Sequence, residues 1–128
     1  MAGRKILIVE DDVDIRSLID LRLRSAGYAT AWAGDAIAAL ARARRESPDA
    51  IVLDLGLPGG DGFVVMERLR SMAPVSHIPI VVLTARDPST SRDRARAAGA
   101  AAFLEKPIDA DALLAAIREA TGEPATPQ

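Results

Sequence analysis

Short apolar segments alternate five times along the chain with longer segments of helical periodicity. The short segments are rich in β-branched and aliphatic residues, which is typical of β-strands. The predicted strands are Lys5 to Val9, Ala29 to Ala33, Ala50 to Leu53, Ile80 to Leu83 and Ala102 to Leu104. The first, third and fourth are almost continuously apolar, as expected when helices cover both faces of a parallel sheet. The pattern therefore predicts an α/β fold, a doubly wound (βα)5 unit.

Four of the segments between the strands have the apolar spacing of amphipathic helices. We expect their core-facing residues to be Ile15, Leu18, Ile19, Leu23 and Ala26; Ile37, Leu40 and Ala41; Phe63, Met66 and Leu69; and Leu113, Leu114 and Ile117. A further helix is predicted from about Pro88 to Ala98. The helices are predicted to begin after N-capping aspartates, which are Asp12, Asp35, Asp61, Asp87 and Asp109.

The chain has 128 residues, enough for one domain, which we place at residues 1–121, with residues 122–128 as a disordered tail or linker stub. Its net charge of −2 argues against direct binding of nucleic acid. No apolar segment is long enough to span a bilayer and no signal peptide precedes the first strand, so we expect a cytoplasmic protein without membrane contact. The absence of cysteine and the single histidine exclude disulfides, thiolate nucleophiles and histidine-cluster metal sites.

Polar residues follow four of the five predicted strands. They are Glu10 and Asp11 after the first, Asp54 after the third, Thr84 after the fourth and Lys106 after the fifth. Ligands of such sheets bind outside the carboxyl ends of the strands. Two unit charges about 4 Å apart repel by roughly 4 kcal/mol at an effective dielectric near 20, so clustered carboxylates need a cation. A site of oxygen ligands alone suits Mg²⁺.

These residues resemble the receiver domains of two-component response regulators. The matching pieces are Glu10-Asp11, Asp54 within the segment Leu53 to Gly62, Thr84-Ala85 and Lys106-Pro107, in that order between Lys5 and about Thr121. The resemblance implies a five-stranded parallel sheet of flavodoxin-like order 2-1-3-4-5. It also implies a phosphoacceptor that receives a phosphoryl group from a sensor histidine kinase or phosphotransfer protein. Phosphorylation would then switch its binding to a downstream protein. The resemblance does not imply an enzyme that turns over a separate substrate.

The resemblance also assigns the acceptor and the metal ligands. Asp54 looks like the phosphoacceptor, whose carboxylate becomes an aspartyl phosphate. Asp11 and Asp54, together with the backbone carbonyl of Gly56, would hold Mg²⁺ or Mn²⁺. Glu10 would orient the ion through bound water.

Further roles follow for residues around the phosphoryl group. Thr84 and Lys106 would contact its oxygens, which fits the charge neutralisation that phosphoryl transfer requires. Thr84 and Phe103 would move together as the switch, with its output at the face of helix 4, strand 5 and helix 5. Because Gly56 offers no side chain, we expect Arg86 to dominate the outer shell of the phosphoryl group and to set its lifetime.

The chain departs from its relatives in the fourth helix and in the fifth strand and helix. Asp93 and Arg96 stand where relatives often have apolar residues, so we expect helix 4 to be the least stable helix and to shift on phosphorylation. The winged-helix class of regulators forms a symmetric dimer through charged residues at four places where this chain has alanine. These alanines are Ala101, Ala102, Ala112 and Ala116. We therefore expect a monomer or weak dimer with a small apolar docking surface.

Simpler interpretations accompany each motif. The acidic residues after the first strand could be only a helix N-terminal charge cluster, Thr84 a strand residue and Phe103 plain core. Among rival functions, a haloacid-dehalogenase-like phosphatase would have a second aspartate where this chain has Gly56. A flavodoxin-like carrier would have its flavin phosphate repelled by the acidic residues. A phosphorylation-independent interaction module of the same fold stays open, because sequence does not show reactivity.

Overall fold

The computed structural model describes residues 4–57, 62–84 and 88–123, without the side chains of residues 88–91. The five strands are β1 (Lys5–Val9), β2 (Ala29–Ala33), β3 (Ala50–Asp54), β4 (Ile80–Thr84) and β5 (Ala102–Glu105). The five helices are α1 (Val13–Ser25), α2 (Ala36–Glu46), α3 (Gly62–Ser71), α4 (Pro88–Ala97) and α5 (Ala110–Ala120). Strands and helices alternate throughout, which confirms the predicted (βα)5 fold.

The strands form one parallel sheet in the order β2-β1-β3-β4-β5. This is the order that the resemblance implied. All residues of β3 and β4 are buried, since helices cover both faces of the sheet. These two strands and β5 each extend one residue beyond the prediction, to Asp54, Thr84 and Glu105. All five strands end at the same edge of the sheet.

Two apolar layers sandwich the sheet, because successive strand residues point to opposite faces. Leu7 and Val9 of β1 belong to the layer under α2, α3 and α4, whereas Ile6 and Ile8 belong to the layer under α1 and α5. The predicted core residues of α3 and several of those of α1 and α5 are buried in these layers; they are Phe63, Met66, Leu69, Ile19, Leu23, Leu113 and Ile117. Within the described ranges, no helix has the length and apolarity needed to cross a bilayer.

The predicted core face of α2 is wrong at Ile37 and Ala41, whereas Leu40 packs against the core layer. Ile37 is 78% exposed and Ala41 is exposed, while Leu40 is only half-buried. The buried residues of α2 are instead three alanines with helical spacing, Ala36, Ala39 and Ala43. Small side chains allow this helix to pack closely on the sheet, so the large Ile37 is left on the solvent side.

The predicted core face of α1 is also too wide. Leu18 is 46% exposed and Ala26 is exposed. The caps of three helices are confirmed, because the carboxylates of Asp12, Asp35 and Asp109 accept hydrogen bonds from backbone N–H groups in the first turns. The predicted caps Asp61 and Asp87 lie outside the described residues.

Candidate functional site

Three carboxylates and one ammonium group meet at the edge where the strands end. Glu10 follows β1 and is 1% exposed, Asp54 ends β3 and is 5% exposed, and Asp11 is exposed. Carboxylate oxygens of these three residues lie within 4.8 Å of one another. The Lys106 Nζ atom is 2.7 Å from Oε1 of Glu10 and 3.4 Å from Oδ1 of Asp54. The structure thus brings together residues from three separate parts of the chain.

Backbone groups fix the orientation of both buried carboxylates. The N–H of Asp12, the capping residue of α1, donates to Oε2 of Glu10 at 3.2 Å. The N–H of Gly56 donates to Oδ1 of Asp54 at 3.1 Å. Glu10 itself is held by its own N–H, which donates to the carbonyl of Ala33 at the end of β2. The site is therefore preorganised by the ends of three neighbouring strands.

Burial and charge act in opposite directions on the titrating groups. Burial raises the pKa of Glu10, and the nearby charge of Asp54 adds to the rise, against the opposing effects of Lys106 and the Asp12 N–H. Burial alone would lower the pKa of Lys106, but the carboxylates of Glu10 and Asp54 outweigh it and raise that pKa. The ammonium group therefore stays charged at neutral pH.

The donor set fits a hard divalent cation. Three carboxylates against one ammonium leave two negative charges in excess. Ligands on opposite sides of an octahedral Mg²⁺ are about 4.2 Å apart. The carboxylate oxygens of Glu10, Asp11 and Asp54, within 4.8 Å of one another, come close to this spacing.

Of the other predicted site residues, Thr84 lies at this edge of the sheet, Phe103 lies within β5, and Arg86 is not among the described residues. Thr84 is buried at the end of β4, and its carbonyl accepts a hydrogen bond from the N–H of Lys106 at 2.9 Å. Phe103 is half-buried on β5, on the face of the sheet that carries α3 and α4. Arg86, predicted to flank the phosphoryl group, lies outside the described residues. The roles predicted for all these side chains stay predictions.

Gly62 contributes to the site in a way that sequence reasoning missed. A Cβ atom at this position would lie 2.6 Å from the Cα of Leu55 and 2.9 Å from the carbonyl oxygen of Asp54. The N–H of Gly62 donates to the carbonyl of Leu55 at 3.1 Å. The start of α3 is thus packed directly against the backbone of the central aspartate. The chain has nine glycines. Gly62 ends the segment from Leu53 that carries the resemblance, but the sequence does not show its steric role.

Comparisons with known proteins agree with this geometry. The family model described as "Response regulator receiver domain" matches residues 6–118. Response regulator PleD of Caulobacter vibrioides is 40% identical over 118 residues, which cover 91% of this chain and 26% of PleD. Response regulator MprA of Mycobacterium leprae is 41% identical over 114 residues, 89% of this chain and 49% of MprA. The chain therefore spans between a quarter and a half of these curated relatives.

A solved structure resembles the chain over nearly its whole length. It is the receiver domain of sensor histidine kinase PA1611 from Pseudomonas aeruginosa PAO1, with a TM-score of 0.87 and 33% identity, covering 95% of this chain and 100% of the other. That structure has a magnesium ion coordinated in its active site cleft. From the family match, the fold and the acidic site, we conclude that the chain belongs to the response regulator receiver domain family.

Proposed function

We propose that this chain accepts a phosphoryl group on Asp54 and thereby changes its affinity for a partner protein. The observation that carries the proposal is the setting of this carboxylate. Asp54 is almost fully buried, the Lys106 ammonium group is 3.4 Å from its Oδ1, and Glu10 and Asp11 lie beside it. Family membership supports the same role, since receiver domains are the phosphoacceptors of two-component systems.

The donor in this proposal is the phosphohistidine of a sensor histidine kinase or phosphotransfer protein. A carboxylate oxygen of Asp54 attacks phosphorus and forms a P–O bond while the P–N bond to the imidazole breaks. The imidazole nitrogen keeps the electron pair of that bond and takes up a proton. Lys106 neutralises oxygens of the transferred group, and the hydroxyl of Thr84 donates a hydrogen bond to them.

A divalent cation completes the proposed site. Asp11, Asp54 and the backbone carbonyl of Gly56 would hold Mg²⁺ or Mn²⁺, with Glu10 acting through bound water. When bound, the ion neutralises phosphoryl oxygens and offsets the repulsion among the carboxylates. The excess of two negative charges at the site supports this assignment.

An apolar groove next to Lys106 suggests where the donor docks. The groove has a volume of about 190 Å³ and is lined by Ile15, Leu18, Lys106, Pro107 and Ile108. Lys106 borders both the groove and Asp54, so a donor whose phosphohistidine reaches Asp54 also covers the groove. Leu18 of α1 is 46% exposed and forms part of the apolar lining of this groove.

The proposed output follows from the new charge on Asp54. A phosphoryl group there competes with Glu10 for the ammonium group of Lys106 and draws the hydroxyl of Thr84 toward it. We propose that Phe103 responds to Thr84 and that the face of α4, β5 and α5 changes its partner affinity. The chain would catalyse its own phosphorylation and dephosphorylation without turning over a separate substrate.

Intact-mass measurement tests the proposal. The protein is incubated with Mg²⁺ and acetyl phosphate, beside Asp54→Asn and the matched control Asp20→Asn, which alters an aspartate on the middle of α1. We expect the mass of one phosphoryl group on the wild type and on Asp20→Asn, dependent on Mg²⁺. Phosphorylation of Asp54→Asn would contradict the assignment. No adduct on any protein, together with no beryllofluoride complex under native mass spectrometry, would favour the phosphorylation-independent module.

A further inference from the structure

A positively charged cleft lies between α4 and β5, away from the carboxylate site. Its volume is about 170 Å³. The lining consists of two arginines of α4, three alanines and the aromatic ring of β5; these are Arg92, Arg96, Ala100, Ala101, Ala102 and Phe103. The cleft therefore combines cationic walls with a small apolar floor.

The two arginines are only weakly neutralised by the protein itself. Arg92 lies 3.8 Å from Glu105, but both side chains are about half exposed, at 49% and 51%. Exposed ion pairs of this kind contribute little. Arg96 forms no ion pair with any residue in the described part of the chain. Two guanidinium groups against one carboxylate leave the cleft with a net positive charge.

The arrangement of the cleft suits a carboxylate ligand. Arg92 and Arg96 are four residues apart on α4 and so lie on one face of the helix. A guanidinium group binds a carboxylate through two parallel hydrogen bonds. The guanidinium of Arg92 also lies 5.2 Å from the centre of the Phe103 ring, which places its charge over the floor of the cleft. Alanines on the floor leave the arginines accessible to an incoming side chain.

We propose that this cleft binds an acidic segment of a partner protein, with glutamate or aspartate side chains on Arg92 and Arg96 and an apolar side chain against the alanines and Phe103. Charge complementarity carries the choice of partner. Nucleic acid fits less well, because only two arginines line the cleft and the chain as a whole has a net charge of −2.

The cleft is part of the face of α4, β5 and α5 at which the proposed function changes partner affinity. The proposal specifies the kind of partner segment that this face binds. It rests on the proposed function only for the expected effect of phosphorylation on binding. The α4 helix carries these arginines, and Ala95 is its only buried side chain among residues 92–97. A helix with so little buried surface is easily displaced. We therefore expect phosphorylation to change the distance between the two arginines and β5.

Fluorescence anisotropy tests the cleft directly. The probe is a short fluorescein-labelled peptide rich in glutamate and leucine, with a control peptide in which glutamine replaces every glutamate. We expect saturable binding of the acidic peptide alone, weakened about three- to tenfold by Arg96→Gln and further by the additional change Arg92→Gln. The matched control Arg44→Gln changes an exposed arginine of α2, which packs beside β2 at the opposite end of the sheet from β5. It has the same change in charge and is expected to bind as the wild type.

Each other outcome overturns the proposal. They are absence of saturable binding, equal weakening by Arg44→Gln and Arg96→Gln, and tighter binding of a short oligonucleotide than of the peptide. Phosphorylation is measured separately by intact mass. A failure of peptide binding can therefore be distinguished from a failure of phosphorylation. Arginine-dependent binding by a protein that gains no phosphoryl group would contradict only the proposed function.

Discussion

Replacing Gly62 by alanine tests how tightly the start of α3 is packed against the central aspartate. Carbon atoms that are not bonded settle at about 3.5–4.0 Å from each other. The added Cβ would lie 2.6 Å from the Cα of Leu55 and 2.9 Å from the carbonyl oxygen of Asp54. Both are backbone atoms, which cannot rotate away as a side chain would. The backbone after β3 must therefore move by about 1 Å.

Two opposing effects set the size of the change in stability. Overpacking of a well-packed site costs about 1–3 kcal/mol. Alanine is a better helix former than glycine by up to about 1 kcal/mol in a helix interior, and Gly62 is the first residue of α3. The steric effect is the larger, so we expect Gly62→Ala to lower the free energy of unfolding by about 1–2 kcal/mol. A shift of about 1 Å in Asp54 would also slow its phosphorylation by up to about a hundredfold.

Urea unfolding and the rate of phosphorylation by acetyl phosphate measure these two effects. Gly34→Ala is the matched control, because a Cβ there meets its nearest neighbour, the Trp32 ring, at an ordinary contact distance of 3.9 Å. The control is expected to keep wild-type stability and rate. A Gly62→Ala protein that is more stable than the wild type, with an unchanged rate, would refute the steric reasoning.

Four further predictions address other parts of the account. Lys106→Met is expected to tighten Mg²⁺ binding, since a competing cation is removed, and to slow phosphorylation about a hundredfold; calorimetry and intact mass measure the two. Leu18→Asp is expected to slow phosphotransfer from a protein donor while leaving the rate with acetyl phosphate unchanged. Burial and the hydrogen bond to Glu123 raise the pKa of Tyr28 to about 12. The stability that its protonated form provides is therefore present below about pH 10 and is lost toward about pH 12. Absorbance titration of this single tyrosine measures its pKa. Hydrogen exchange is expected to be faster in α4 than in α1.

The results that would contradict these predictions are equally specific. They are weaker Mg²⁺ binding by Lys106→Met, equal slowing of both donors by Leu18→Asp, a Tyr28 titration near its ordinary pKa of 10.0, and slower exchange in α4 than in α1. Tyr28→Phe is the control for the alkaline stability, since it removes the titrating hydroxyl and keeps the ring. Its stability is expected to fall less than that of the wild type above about pH 10.

The strands β1, β3 and β4 were predictable because their burial leaves a direct trace in the sequence. Strands covered on both faces must be apolar at nearly every position, and turns and helices interrupt such runs sharply. The helix starts at Asp12, Asp35 and Asp109 were predictable for a local reason, since each side chain caps its own helix.

The face of α2 was not predictable from large apolar residues. Ile37, one of the two large apolar side chains of this helix, is exposed, whereas Ala36, Ala39 and Ala43 are the buried residues. How closely a helix approaches a sheet is decided by its neighbours in space. A prediction from hydrophobic positions favours the face with large apolar side chains, and for α2 this was the wrong face.

The composition of the site was predictable from strand order, but its internal contacts were not. Parallel strands bring Glu10, Asp54 and Lys106 to one edge whatever their separation in the chain. The close pairing of Lys106 with Glu10, at 2.7 Å, depends on side-chain geometry. The steric role of Gly62 depends on how closely the start of α3 approaches the end of β3. Glu123, in the predicted tail, accepts a hydrogen bond from Tyr28 and forms an ion pair with Arg4. These contacts join residues far apart in the sequence, so no local sequence pattern predicts them.

Chemical identification of the phosphorylated residue tests the central claim most directly. An aspartyl phosphate is a mixed anhydride, and borohydride reduces it to homoserine, which peptide mass spectrometry locates in the chain. After incubation with Mg²⁺ and acetyl phosphate, we expect homoserine at position 54 and at no other position. Homoserine at position 11, or a phosphoryl group that survives reduction because it is bound to a hydroxyl, would contradict the assignment of Asp54 as the phosphoacceptor.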